Sequence, residues 1–351
     1  MISSQQRTEF AEQGYLVVQD VLDPARDIEP FKDAYIRYLD SLSEIVLAHE
    51  GPEALKEYRA RPFAERFAIL LGCTGGLILQ HLDPTLTMYM PGHRARKALP
   101  SAQRPELFRL MRNERLLDEL EGLLGPEITV SPSHHINLKL SQRHIALAAK
   151  TAAQMKRRPP EDAPLWGFHV GTSQWHSDSA YGLPDCRRSQ IVNAWIPLTP
   201  ATLENSCLVV SPGSHRGLEP QPVITAESVI SKARPLPVKP GDVIFLDNNL
   251  PHNALENKTA EDFRWAFNFR YLPTGQPSGR PFLPEFVARS RAAPERELHD
   301  ADLWRDMWGG ALDHLSRNPL PPRFGLAPGE AQEITARWRK MTANYTDWLN
   351  L

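Results

Sequence analysis

Residues 264–272 read RWAFNFRYL, an alternation that suits one regular structure. Successive side chains of a β-strand point to opposite faces. Arg264, Ala266, Asn268 and Arg270 therefore share one face, and Trp265, Phe267 and Phe269 share the other. The aromatic face predicts packing against helices or a second sheet. The opposite face directs arginines, spaced by small residues, into an interior. A buried arginine needs an anion, because an unpaired buried charge is very costly. The stretch thus predicts a strand that is core on one side and a binding wall on the other. For either arginine alone, a structural salt bridge to Asp or Glu explains the pattern equally well.

Working outward, the sequence from about Glu127 has the same texture. ITVSPSHHINLKL (128–140), SQIVNAWIPLT (189–199), SCLVVSPGSH (206–215) and GDVIFLD (241–247) are short β-rich runs between Pro, Gly and Asn turns. Such runs predict a sandwich or barrel. In the first of them His135, Asn137 and Lys139 share a face opposite Ile136, Leu138 and Leu140. That polar face reads as a pocket wall or as the solvated side of an edge strand.

Before this core, GYLVVQDVL (14–22) predicts one early strand. Ile28, Phe31, Tyr35, Leu39, Leu42 and Val46 fall at helical spacing and stop at Gly51-Pro52. Pro105 opens a second helical stripe through Leu107, Leu110, Leu117, Leu120 and Leu124, closed by Gly125-Pro126. Residues 275–298 read as an irregular Pro- and Arg-rich excursion, and LWRDMWGGALDHL and EAQEITARWRKMTANYTDWL as helices. The fold class is mainly β with flanking helices (α+β). It forms one domain over 1–351: a helical part at about 24–125, a β core at about 127–273 and a helical extension at about 280–351.

Bulk properties exclude several classes. The 351 residues carry a net charge of −2, which implies neither nucleic acid nor an anionic membrane as partner. No apolar run approaches membrane-spanning length. The start, MISSQQRTEF, lacks a hydrophobic signal core, so cytoplasmic residence is expected. Cys73, Cys186 and Cys207 lack metal or redox spacing and read as buried small hydrophobes.

The chemistry starts at QWHSDSAYG (174–182). Read as a strand, it puts His176 and Asp178 on one face, where an imidazole and a carboxylate can share a cation. A lone His-x-Asp is most often an ordinary polar pair. His252, at the end of a later strand, raises its value. Two histidines and one carboxylate occupy one face of a metal and leave the other positions open, the arrangement of non-haem Fe(II) oxygenases. Arg264 can then hold the carboxylate of a dicarboxylate cosubstrate, bidentate in a way lysine does not match. Residues 141–173, with the basic cluster Lys156–Arg158 and a Pro-Pro break, read as a surface insertion or as a lid.

In order, FAEQGYLVVQDVLDP, INLKL, WHSD, NAWIPLTPATLENSCLVVSPGSH, KPGDVIFLDNNLPHNALENKT and FRWAFNFRYLP cover most of the chain. Together they resemble the phytanoyl-CoA dioxygenase family of Fe(II)/2-oxoglutarate oxygenases. The resemblance implies a double-stranded β-helix, a jelly roll. It implies Fe(II) on His176, Asp178 and His252, and 2-oxoglutarate on Arg264, with O2 as the other cosubstrate. It implies Asn137 and Trp195 in the cosubstrate pocket, with Lys139 a weaker candidate. Several relatives have a hydroxyl residue two past the distal histidine. Here that position is Ala254, so Thr199 or Asn253 is the expected substitute. Because Asp178 is present, oxygenation is favoured over halogenation. His215, in the SPGSH turn, reads as structural.

The expected reaction is hydroxylation of an unactivated C–H of a small molecule of specialised or catabolic metabolism, with release of succinate and CO2. Desaturation, cyclisation and epoxidation remain open. So do a non-catalytic cupin-like binding protein and a different metal enzyme on the same barrel. Tyr181, Trp166, His135, Arg187 and Arg270 are the candidate substrate contacts. Arg143, Arg187, Arg188 and Arg270 near the mouth hint at an anionic group on the substrate, against a plain solvated rim. The sequence leaves the oligomeric state open.

Overall fold

The computed structural model describes residues 1–48, 52–82, 105–163, 166–182, 184–280 and 283–317. Nine strands are named here: β1 (Tyr15–Val18), β2 (Glu127–Lys139), β3 (Val192–Pro197), β4 (Leu208–Val210), β5 (Arg234–Leu236), β6 (Val243–Asp247), β7 (His252–Ala254), β8 (Arg264–Pro273) and β9 (Phe286–Ser290). Six of them form an antiparallel sheet in the order β1-β6-β3-β8-β2-β9, and three form a second antiparallel sheet, β5-β4-β7.

Strand parity divides the large sheet into two working faces. Val243 and Phe245 of β6, Ala194 and Ile196 of β3, Trp265, Phe267 and Phe269 of β8, and Ile136 and Leu138 of β2 join the core shared with the helices. On the other face, Ile244 and Leu246 of β6, Trp195 of β3 and Ala266 of β8 pack with Leu208, Val210, Leu236 and Ala254 of the small sheet. The aromatic face of RWAFNFRYL therefore meets helices, one of its two predicted partners. Phe31 stands edge-on to Phe267 at 5.0 Å, and Phe63 stacks on Trp265 at 4.9 Å. Burying a side chain of this size contributes roughly 1.5–3 kcal/mol.

Strand β2 keeps this parity through an irregularity. Val130 faces Tyr271 and His134 faces Phe269, so four steps on β2 match two on β8. The shift falls at Pro132, which lacks the N–H a regular ladder requires. Because the surplus is even, Ile128 and Val130 stay on the same face as Ile136 and Leu138.

The helix Glu29–Val46 buries the predicted stripe Phe31, Tyr35, Leu39, Leu42 and Val46. The second stripe departs from expectation. It is two helices, Pro105–Met111 and Glu114–Leu124, because the Asn113 side chain accepts from the Leu116 amide and restarts the helix there. Residues 275–298 are not wholly irregular either, since β9 pairs with β2 at the sheet edge. The front of 141–173 is a surface helix with one packed stripe. Helix Gln142–Gln154 buries Ala148 and Ala152 against the helix Phe63–Cys73, where Gly72 leaves no room for a Cβ. The helix Ala301–Arg317 seats Trp304 and Trp308, both buried. EAQEITARWRKMTANYTDWL lies outside the described residues. Among the described residues, no helix is long and apolar enough to cross a membrane. All three cysteines are free and buried, as read.

Candidate metal centre

The polar part of the large sheet's inner face is set by register. Asn193 lies across from Arg270, Trp195 and His135 both lie across from Asn268, and Lys139 lies across from Arg264. From these rows His135, Trp195, Arg264, Asn268 and Arg270 line a recess whose space, open mouth included, is about 620 Å³.

His176 and Asp178 reach this recess by a different route from the one predicted. They do not lie in a regular strand. His176 makes a lone bridge to His252, its N–H donating to the His252 carbonyl at 3.1 Å and its carbonyl accepting at 3.0 Å. Asp178 then begins a single 3₁₀ turn, Asp178–Tyr181. The segment is held by its serines instead of a ladder: Ser177 Oγ donates to the Asn249 carbonyl (3.1 Å) and Ser179 Oγ to Asn249 Oδ1 (2.6 Å). The loop carrying His176 and Asp178 is thus fastened to the turn that precedes His252.

The result is a compact donor set. One ligand atom each from His176, Asp178 and His252 lies within 4.8 Å of the others, and all three residues are buried. The imidazole centroids are 4.4 Å apart. His176 Nδ1 bonds the Gln174 carbonyl (2.7 Å) and His252 Nδ1 the Leu250 carbonyl (3.0 Å), so each Nδ1 donates to the backbone and each Nε2 lone pair is left available to a metal. Burial, with His252 alongside, pushes the His176 pKa down to about 3, which keeps the ring neutral. For Asp178 burial alone would favour the acid, but Arg270 and the neighbouring imidazoles outweigh it and hold the carboxyl below its ordinary range. Asp178 Oδ2 accepts from Asn193 Nδ2 at 2.6 Å, and Oδ1 lies 2.9 Å from Arg270 Nη2. Two imidazoles whose Nδ1 atoms are held by backbone carbonyls, and one ionised carboxylate held by an amide, fit one divalent cation with open positions.

Beyond this set lies Arg264, 1% exposed. Its Nε and Nη2 donate to Ser206 O (2.8 Å) and Ser206 Oγ (3.3 Å), and its guanidinium lies over the Trp195 ring at 5.4 Å. No acid pairs with it among the described residues, and its Nη1 is buried without a partner there. Burial lowers its pKa to about 9, so it remains charged at neutral pH. Asn268 Oδ1, on the same floor, is also buried without a partner among the described residues. The orphaned Arg264 Nη1, a charged donor, fits a bound carboxylate, and the orphaned Asn268 Oδ1 fits a donor.

A family model described as phytanoyl-CoA dioxygenase matches residues 10–266, most of the chain. The chain belongs to the phytanoyl-CoA dioxygenase family. Membership makes it an enzyme of the Fe(II)/2-oxoglutarate-dependent dioxygenase class, with Fe(II), 2-oxoglutarate and O2 as cofactors. A probable phytanoyl-CoA dioxygenase of Caenorhabditis elegans is 23% identical over 287 residues, 77% of this chain and 75% of that protein. The peroxisomal phytanoyl-CoA dioxygenase of Homo sapiens is 23% identical over 286 residues, 77% of this chain and 68% of that one. Among solved structures, the apo form of the non-heme monooxygenase ThoJ superposes with a TM-score of 0.53 at 15% identity. It covers 97% of this chain and 99% of that one, a likeness of fold.

In this member of the family the remaining candidate residues divide. Asn137, His135, Tyr181, Trp195 and Arg270 line the recess with the donor set and Arg264. Others stand back from it. Lys139 is buried, but its Nζ donates to the Gly167 (3.1 Å) and Gly171 carbonyls, because the strand end turns it under the following segment. Thr199 Oγ1 accepts from the Trp265 amide (2.8 Å) as a strand-end cap. Arg187 lies 3.7 Å from Glu219, and Arg143 pairs with Glu65 and Glu261. Trp166, outside the lining, packs against Gly171. His215 sits at Gly14, where its Nδ1 would lie 2.5 Å from an added Cβ and Gly14 has φ +79°. Sequence reading missed Asn193, Ser173 and His169, although Asn193 shares its strand face with Trp195. Ser173 Oγ donates to Asn253 Oδ1 (2.8 Å) and accepts from the Ala254 amide (3.0 Å). A hydroxyl therefore stands beside residue 254, supplied from another segment.

Proposed function

We propose that the chain hydroxylates an unactivated C–H of a small molecule, consuming 2-oxoglutarate and O2 and releasing succinate and CO2. The observation that carries this reading is the pairing, in one recess, of an open His176/Asp178/His252 donor set with a buried Arg264 that has no acid partner among the described residues. On this reading the two sheets are the halves of a double-stranded β-helix. His176, Asp178 and His252 ligate Fe(II), and Arg264 binds the far carboxylate of 2-oxoglutarate. Asn137, Asn268 and Trp195 line the cosubstrate's path. Iron with 2-oxoglutarate and O2 supplies an oxidant able to take hydrogen from a C–H bond.

The protein's own part is orientation and exclusion. Asn193 and Arg270 hold the two oxygens of Asp178, and the Gln174 and Leu250 carbonyls fix the imidazole tautomers. Tyr181 stands edge-on to His176 at 5.7 Å, its hydroxyl tied to the Pro222 carbonyl, and screens that side from water. The test is succinate formation from 2-oxoglutarate under air. It should require Fe(II) and be abolished in Asp178→Ala. Succinate formation that survives this substitution would exclude the reading.

A further inference from the structure

The recess holds more positive charge than its cofactors balance. Among its lining residues Asp178 is the one acid, while Arg264 and Arg270 are both present, 1% and 5% exposed. A divalent iron adds two positive charges, and 2-oxoglutarate removes two. Two guanidiniums against one carboxylate then leave one buried positive charge uncompensated, an expensive condition.

The surplus falls on Arg270. Arg264 faces the cosubstrate end, with Ser206 and Trp195 around it. Arg270 has Nη2 at 2.9 Å from Asp178 Oδ1 and Nη1 at 2.9 Å from His135 Nε2. A guanidinium only donates, so His135 Nε2 meets Arg270 with a lone pair and supplies no counter-charge. Arg270 Nε is buried without a partner among the described residues. Once Asp178 serves a metal, with Oδ2 already taken by Asn193, the charge partner of Arg270 is shared with a dication. A wholly neutral substrate would not correct this.

We infer that Arg270, set against His135, is the substrate-recognition residue, and that the substrate carries a compact oxyanion, carboxylate or phosphate, held beside the metal. A guanidinium fork suits either group. The oxidised C–H then lies within a few bonds of that anion, because Arg270 already touches a ligand of the metal. The inference rests on the iron/2-oxoglutarate reading above.

The experiment uses the full chain under argon, loaded with Fe(II) and saturating 2-oxoglutarate. It is titrated with benzoate, phenyl phosphate, inorganic phosphate and the neutral benzamide, and followed by calorimetry and by the visible iron–2-oxoglutarate absorption. At least one anion should bind saturably and perturb the band, with benzamide weaker by roughly tenfold or more. The relative affinities of benzoate and phenyl phosphate tell carboxylate from phosphate. Arg270→Gln should weaken that anion roughly tenfold or more while keeping the band, and Arg143→Gln, on the surface, should change nothing. Equal binding of benzoate and benzamide, no anion binding, or full anion affinity in Arg270→Gln would each overturn the inference. If Arg270→Gln loses the band itself, Arg270 is a positioning residue for Asp178, and the acid–amide contrast in the wild type decides alone. A band missing from the wild type refutes the iron reading first, and this inference falls with it.

Discussion

Replacing Arg264 by methionine separates cosubstrate binding from metal binding. The guanidinium touches Ser206 and the Trp195 ring and makes no contact with His176, Asp178 or His252. Its free Nη1 and its charge are what a cosubstrate carboxylate would use. Removing one partner of a buried, hydrogen-bonded charge pair costs about 2–5 kcal/mol. Asn137 and Asn268 remain on the same floor to receive part of the orphaned carboxylate, which places Arg264→Met in the lower half of that range. At ~1.4 kcal/mol per tenfold, the 2-oxoglutarate Kd should rise roughly 30- to 300-fold. The assay is an anaerobic titration of the Fe(II)-loaded protein with 2-oxoglutarate, with Fe(II) affinity measured separately. Fe(II) affinity should be unchanged. The apo protein should stay folded, losing about 1–3 kcal/mol for the buried Ser206 oxygens left without their donor, while no acid loses its partner when Arg264 goes. A 2-oxoglutarate Kd within about threefold of wild type would refute the assignment.

Three further predictions test the surroundings. Asn193→Ala removes the donor to Asp178 Oδ2 and should weaken metal binding about 10- to 100-fold, read by metal titration of the apo protein; unchanged affinity would deny Asn193 any part in orienting the ligand. Phe267→Ala empties the contact with Phe31 and should lower unfolding free energy by about 3–5 kcal/mol in urea, at unchanged m-value. Lys139 has its pKa driven well below the ordinary value by burial first and Arg264 second. The unfolded chain therefore binds that proton more tightly, and this group's contribution to stability should rise as pH climbs from the lowered folded value toward about 10.4. Lys139→Met should flatten that alkaline slope of the urea midpoint, and an unaltered slope would contradict the sign.

The parity of RWAFNFRYL carried the fold because it is local: alternation over nine residues states which side is core and which is pocket. The same argument worked for His135 and Asn137. It failed for Lys139, because a strand's last residue takes its surroundings from whatever follows, here the Gly167–Gly171 segment. His176 and Asp178 were legible as candidate ligands once His252 was set beside them, and the three do gather in one donor set, yet their backbone was misread. A bridge of one residue followed by a 3₁₀ turn also sends i and i+2 into one recess, and alternation cannot tell the two apart. The contacts of Arg270 were illegible, since Asn193 faces it only through the β3–β8 register and His135 sits on a third strand. Ser173 was hidden for the same reason: it meets Ala254 across 81 residues of chain.

On the proposed reading, His176, Asp178 and His252 bind one Fe(II) that also holds 2-oxoglutarate. The direct measurement is the visible absorption of the apo protein under argon as Fe(II) is added with 2-oxoglutarate present. The wild type should develop a weak visible charge-transfer band that saturates at one iron per chain. His176→Ala, Asp178→Ala and His252→Ala should each fail to develop it while remaining folded. A wild type without the band, or an Asp178→Ala protein that keeps it at full intensity, would contradict the account.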